Sequence, residues 1–459
     1  MAVCPIDSGR YGSEEMLKIF SEETRLQKML DIEAAAAYAH ARVGNIPKKA
    51  AEQIAAKATT ELVKVERCKE IEAQIGHDVM AVVKALTEVC DEDGARWIHY
   101  GLTSNDILDT ATGLQIKEAM KIIQQDLTSL ERTLIKKSRQ YRDLPMAGRT
   151  HGQQAGIITL GLKFAIWLRE TSRHLERVLE AEKRCVVGKI MGIVGTGAGL
   201  GEHALKIQEL TLERLGLQTA DMVNQVIQRD IYAELIAVLA NVANTLDKIG
   251  TEIRNLQRTE IQELMEPFRA EKQVGSSAMP AKRNPVKSEN VCSLAKLMRG
   301  MVLTQYENVA LWHERDLTNS ANERFTIPFS FILLDDMLRN VTNILDGVVV
   351  FEENIGENLS RTSGLILSEK IAVELVKKGM GRQDAHEAVR LCAMQAYKEK
   401  ISFKEALLRN PEISRRVSEK ELDLFLDYRN YLGVSKQLVD NAVKKTEDEL
   451  KRLSKRSLI

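Results

Sequence analysis

Proline is scarce: 8 of 459 residues, well under the usual share of roughly 5%. Long stretches carry none, residues 146 to 266 among them, so helices have room to extend. An excess of either charge is also missing. Lys and Arg number 65 against 65 Asp and Glu, which excludes the basic footprint expected of a nucleic-acid or anionic-membrane binder. No run approaches the ~18 uninterrupted apolar residues that a membrane span needs, and the opening MAVCPIDSGR lacks a basic-then-apolar leader. A cytoplasmic protein is expected. The six cysteines, at 4, 68, 90, 185, 292 and 392, form no CxxC and no metal-ligand spacing. Neither a structural metal nor a disulfide framework is expected, and no cofactor motif stands out.

What is present is a folded composition, 44% hydrophobic and 28% charged, with apolar residues at helical spacing. Ile231, Leu235, Val238, Val242, Leu246, Ile249, Ile253 and Leu256 recur at steps of three and four. Extended to Leu264, this seam predicts a helix on the order of 50 Å long. A helix of that length needs similar helices beside it, from its own chain or from partner subunits. Further helices are predicted over 13–43, 48–67, 105–140, 155–184, 201–215, 287–310, 329–346, 367–379 and 383–398. The class is all-α, with one small β-hairpin predicted at 185–197, where β-branched residues and glycines alternate. GTGAGLG within 195–201 fails the dinucleotide pattern, because Leu200 stands where the third glycine belongs. Three domains are expected: an N-terminal helical domain at 1–110, a central long-helix bundle at 111–353, and a C-terminal helical domain at 354–459.

Four segments carry candidate chemistry. EKQVGSSAMPAKRNPVKSEN, residues 271–290, places Gly275, Ser276, Ser277, Lys282 and Asn284 between long helices, with Pro280 and Pro285 forbidding helix interior. It is either a solvated interhelical loop or a lid whose hydroxyls, amides and lysine bind an oxyanion. GRTHG puts His151 between small residues, as a cap or as an accessible proton-transfer group. His99, Thr103 and Ser104 lie in the polar run HYGLTSND, suited to capping a helix or to gripping a carboxylate. Arg315, within WHERD, and the following Ser320 and Arg324 lie at steps of five and four; they form a salt-bridged surface or a phosphate clamp. The pair His77 and Asp78 is weaker on its own.

In order and approximate spacing these segments resemble the fumarase/aspartase superfamily, whose signature is similar to GSSAMPAKRNP. HYGLTSND, GRTHG, SSAMPAKRNPVKSEN and WHERDLTNSANER resemble the adenylosuccinate lyase family within it, over nearly the whole chain. The resemblance implies a cofactor-free β-elimination of fumarate from adenylosuccinate, giving AMP, and from succinylaminoimidazole carboxamide ribotide. It implies Ser276 as base, His151 as acid, Glu289 as the carboxylate orienting that histidine, and His77 as a second active-site histidine beside Asp78. Lys282 and Asn284, with Thr103 and Ser104, match succinyl-carboxylate contacts, and Gln225 a substrate contact. Arg10, Tyr11, Arg315, Ser320 and Arg324 match nucleotide and phosphate contacts, and His99 lies with the binding residues. Nucleotide substrates and a homotetramer with shared sites follow. Two positions depart from the family: Gly76 stands where arginine is usual, and Ala281 where a larger residue is common. The alternatives are another lyase of the superfamily, such as argininosuccinate lyase, or a catalytically idle helical oligomer.

Overall fold

The computed structural model describes residues 4–268 and 277–455. Its frame is a bundle of long helices: Ser104–Gln140, Leu160–Cys185, Asp230–Leu256, Val286–Glu307 and Ser320–Asp346. The first runs for 37 residues, about 55 Å at 1.5 Å per residue. Met120, Ile123, Leu127, Leu130 and Leu134, spaced by three and four, are all fully buried along it. Helix Asp230–Leu256 buries the predicted seam at Leu235, Val242, Leu246, Ile249, Ile253 and Leu256, while Ile231 and Val238 are half-buried. Because the chain reverses between successive long helices, one end of the bundle gathers residues near 104, 225 and 320, and the other gathers residues near 141, 260 and 285. No helix among the described residues is long and apolar enough to cross a membrane.

Several sequence expectations are corrected. The seamed helix stops at Leu256, and the chain beyond it pairs Leu264–Met265 with Val349–Val350 as short antiparallel strands. The hairpin lies at Pro145–Thr150 and Gln153–Thr159, not at 185–197. There, only Val187–Gly188 is extended, and it pairs in parallel with Gln218–Thr219. The branched side chains Val186, Val187 and Ile190 read as strand because they are buried against the bundle, and periodicity alone does not separate short buried runs. The glycines that follow, at 192, 195, 197 and 201, all have positive φ and build a loop. Helix Ser320–Asp346 starts nine residues before the expected position and runs through Pro328. The terminal helix Ser435–Lys455, absent from the sequence reading, packs on the bundle through Val439 and Val443.

A second, smaller core spans Ile371 to Leu422. The division at 110 and 353 stays a proposal; helix Ser104–Gln140 crosses its first boundary, and the terminal helix returns to the central core.

One buried acid sets a testable pH response. Glu131, 1% exposed, accepts a hydrogen bond from Ser172 Oγ at 2.5 Å, and its Oε2 has no partner among the described residues. Burial pushes its carboxyl up to about 7, the Ser172 bond and Arg169 opposing and Glu449 reinforcing. Because the folded state holds this proton more tightly than the unfolded chain, the stability it carries is complete below pH 4.5 and is lost as pH rises through about 7. Glu131→Gln is expected to raise stability at pH 8 by on the order of 3 kcal/mol and to change it little at pH 4. Thermal melts of both proteins at the two pH values check this, and equal gains at both would refute it.

Candidate active site

At the 104 end of the bundle, His77 is the N-cap of helix Asp78–Val89, its Nδ1 accepting from the Met80 amide at 3.4 Å. Its Nε2 lies 3.4 Å from Ser104 Oγ, and Arg324 Nη2 donates to Asp78 Oδ2 at 3.4 Å. Thr103 is the buried N-cap of the longest helix, its amide donating to Asp106 at 2.9 Å. Arg315 Nη1 donates to Gln225 Oε1 at 3.1 Å, and Ser320 opens the helix that carries Arg324. Asp316 folds the preceding loop by accepting from the amides of Trp312 and Thr318. The arrangement gathers two guanidinium groups, hydroxyls and an imidazole at one end of the bundle, a donor set suited to an anionic ligand. His99 is held apart by Glu33, with Nδ1 2.6 Å from Oε1. Burial alone would lower its pKa, but the Glu33 carboxylate outweighs burial and the net direction is upward.

Two helix caps explain local sequence here. Gly76, where the family has arginine, ends helix Val65–Ile75 with φ +68, a left-handed conformation that favours glycine. Helix Ser104–Gln140 begins at Thr103 with Asp106 three residues on, so the hydroxyl-rich segment also caps a helix.

At the opposite end, His151 and Gly152 form a two-residue hairpin loop with φ of +53 and +74. Positive φ at both central residues is the type I′ pattern, which histidine tolerates better than most residues. His151 is thus at a hairpin tip, not at a helix start. Bidentate bonds from Arg149 to the buried Glu263, at 2.6 and 2.9 Å, anchor the arm, and Gln154 Nε2 donates to the Asn358 carbonyl. His151 itself is exposed and has no hydrogen-bond or ion-pair partner among the described residues. Lys282 and Asn284 lie in the loop leading to helix Val286–Glu307, and Glu289 is exposed in that helix's first turn. Glu266 pins the helix start by accepting from the Lys287 and Ser288 amides. Among the described residues, no hydrogen bond joins Glu289 to His151. Ser276 lies outside the described residues; Ser277 is exposed.

Arg10 and Tyr11 belong to neither end. The adjoining amides of Gly12 and Ser13 donate to Asp336 and Asp335, midway along helix Ser320–Asp346. One chain therefore gathers His77, Asp78, Thr103, Ser104, Gln225, Arg315, Ser320 and Arg324 together. It leaves His151, Lys282, Asn284 and Glu289 on the order of 50 Å away along the bundle.

Sequence reading missed the buried ions behind the first cluster. Arg229 binds Asp109 at 2.8 and 2.9 Å and Glu323 at 3.2 Å, tying three long helices together. Lys189 binds Asp106 at 2.6 Å, both side chains wholly buried. A lysine inside the apolar run VVGKIMGIV was the available signal, since a buried lysine needs a partner.

The chain matches a family model described as lyase over residues 9–300 and one described as adenylosuccinate lyase C-terminus over residues 364–442. It is 51% identical to the adenylosuccinate lyase of Pyrococcus horikoshii over 98% of this chain and 100% of that one. It is 47% identical to that of Methanocaldococcus jannaschii over 97% and 96%. Among solved structures, a fumarate lyase from Mesorhizobium sp. BNC1 superposes with a TM-score of 0.88 at 31% identity, covering 94% of this chain and 98% of that one. A 3-carboxy-cis,cis-muconate lactonizing enzyme from Pseudomonas putida gives 0.89 at 33% identity, covering 97% and 99%. Since this fold serves more than one chemistry among its relatives, the near-full-length identities and the C-terminal match decide the member: the chain belongs to the adenylosuccinate lyase family within the lyase superfamily.

Proposed function

We propose that the protein is an adenylosuccinate lyase, eliminating fumarate from adenylosuccinate to leave AMP and from succinylaminoimidazole carboxamide ribotide to leave its carboxamide product. The observation that carries the reading is 51% identity to a named adenylosuccinate lyase over 98% of the chain. The cluster of Arg315, Ser320 and Arg324 beside Gln225 supports it, as a nucleotide phosphate calls for guanidinium and hydroxyl donors. A muconate substrate, as named for the Pseudomonas relative, carries no phosphate for such a set to hold.

In the proposed reaction Ser276 takes a proton from the succinyl carbon next to a carboxylate. The electron pair forms the fumarate double bond, the C–N bond breaks, and His151 returns a proton to the departing nitrogen. A proton beside a carboxylate is weakly acidic, so the intermediate charge must be held electrostatically, the task assigned to Lys282, Asn284, Thr103 and Ser104. Glu289 orients His151 from another chain, and His77 and Asp78 line the same site. Arg10 and Tyr11 contact the nucleotide, and His99, fixed by Glu33, belongs with the binding residues.

Separation of the two clusters along the bundle supports a homotetramer with sites shared between chains. So do exposed apolar side chains on the bundle flank, at Ile166, Leu297, Leu303, Tyr306 and Phe325. A cytoplasmic location fits the proposed chemistry. The direct test is the ultraviolet absorbance change on adding adenylosuccinate to metal-free protein. Fumarate and AMP should appear and should persist with a chelator present. Loss on chelation that zinc or magnesium reverses would overturn the cofactor-free route.

Arg324 gives a more local test. Its side chain is 68% exposed and bonds only loosely to Asp78, so it is free to grip a ligand. Arg324→Ala is expected to raise KM about tenfold or more with a smaller change in kcat. An unchanged KM would make Arg324 a surface residue.

A further inference from the structure

We infer that Lys189 and Asp106 are positioning residues for the proposed reaction, forming one buried ionic hub that holds Thr103–Ser104 and Gln225 in register with one another. Lys189 Nζ lies 2.6 Å from Asp106 Oδ1, 2.8 Å from the Gln225 carbonyl and 3.5 Å from the Gly192 carbonyl. Each ammonium hydrogen thus has an acceptor. Asp106 also accepts from the amides of Thr103 at 2.9 Å, Met191 at 2.9 Å and Gly192 at 3.1 Å. Lys189's own backbone is fixed to the longest helix by reciprocal bonds with Thr110 Oγ1, at 3.0 and 3.1 Å.

Three separate segments therefore meet on this pair: the 99–104 loop, the glycine loop after Lys189, and the 223–227 segment. Where these segments touch at Gly101 and Gly195, the packing leaves no room for a side chain. A Cβ on Gly101 would stand 2.6 Å from the Gly199 carbonyl, and one on Gly195 would stand 2.3 Å from that of Val223. From the hub outward, the tethered Thr103 amide leaves Ser104 Oγ facing His77, and the tethered Gln225 carbonyl leaves its side chain facing Arg315.

Stability alone is a poor reason for such a pair. Two charges buried together gain little over apolar residues of the same volume, because desolvation offsets their attraction. An apolar pair, however, would tether neither the Gln225 carbonyl nor the Thr103 amide. The hub is wholly buried, so its influence on substrate passes through those residues. This inference rests on the proposed activity, and the experiment separates the two.

Lys189→Met leaves Asp106 buried and unpaired, and the protein is expected to lose thermal stability or fail to fold. Lys189→Met with Asp106→Asn removes that lone charge and should regain most of the melting temperature. In the folded double variant, KM for adenylosuccinate should stay raised about 10- to 100-fold, as small misplacements of binding groups cost that much, while kcat changes less. Recovery of KM along with stability would reduce the hub to structure and overturn the inference. An inactive wild-type protein would sink the proposed function alone. In that case amide hydrogen exchange decides: faster exchange at 99–104, 190–192 and 223–227, with the long helices unchanged, supports the hub, and unchanged exchange there overturns it.

Discussion

Replacing His151 is expected to lower kcat by about 10²–10⁴-fold, the usual contribution of one general acid, without unfolding the protein. The geometry explains why the two effects separate. His151 packs into no core and bonds to nothing among the described residues, so within its own chain its removal leaves no cavity and no orphaned partner. The hairpin that displays it is held by the Arg149–Glu263 ion pair, by Gln154 on the Asn358 carbonyl, and by strand pairing from Pro145↔Thr159 to Thr150↔Gln153. The better substitution is His151→Asn. At φ +53 asparagine shares histidine's tolerance of the left-handed region, whereas alanine adds backbone strain. Asparagine also keeps a polar side chain but carries no titratable proton. Turnover by His151→Asn within threefold of wild type, at equal melting temperature, would remove His151 from the chemistry.

The fold was legible wherever one physical signal dominated. The seam from Leu235 to Leu256 has a 3.6-residue period over about six turns, and the structure buries it as one helix. The same signal misled at its end, where apolar Ile261 and Leu264 continue the pattern although the chain has turned into a short strand. Residues 185–197 failed for a related reason, since burial on the bundle enriches branched residues as a strand does. The true hairpin was hidden because GRTHGQQAGIIT hardly alternates, and its turn depends on positive φ at His151 and Gly152, which only coordinates reveal. For the site, the residue types were readable while their grouping was not. The helix expected over 105–140 already sets Ser104 far from His151 along the chain, but it does not say which residues of other segments join either end. Nor does it pair Lys189 with Asp106, which are 83 positions apart.

That separation leads to the second large effect. If each site takes His77 from one chain and His151 from another, mixing inactive His77→Ala and His151→Ala proteins and reassembling them should restore activity. In a single chain the two imidazoles stand at opposite ends of helix Ser104–Gln140, on the order of 50 Å apart. No side-chain rotation closes that gap, and bending the helix would break a core in which Ile123, Leu127, Leu130 and Leu134 are fully buried. A reconstituted site needs an intact His77, carried by the His151→Ala chain, and an intact His151, carried by the His77→Ala chain. With equal mixing each arrives with a chance of one half, so about a quarter of sites should work. Unmixed parents set the background, and native mass spectrometry of the mixture establishes that both chains share an assembly. Activity near a quarter of wild type supports sites built between chains. Mixed assemblies no more active than either parent would refute it, because two copies of the chain would then each have to bring these histidines together alone, against the length of the helix between them.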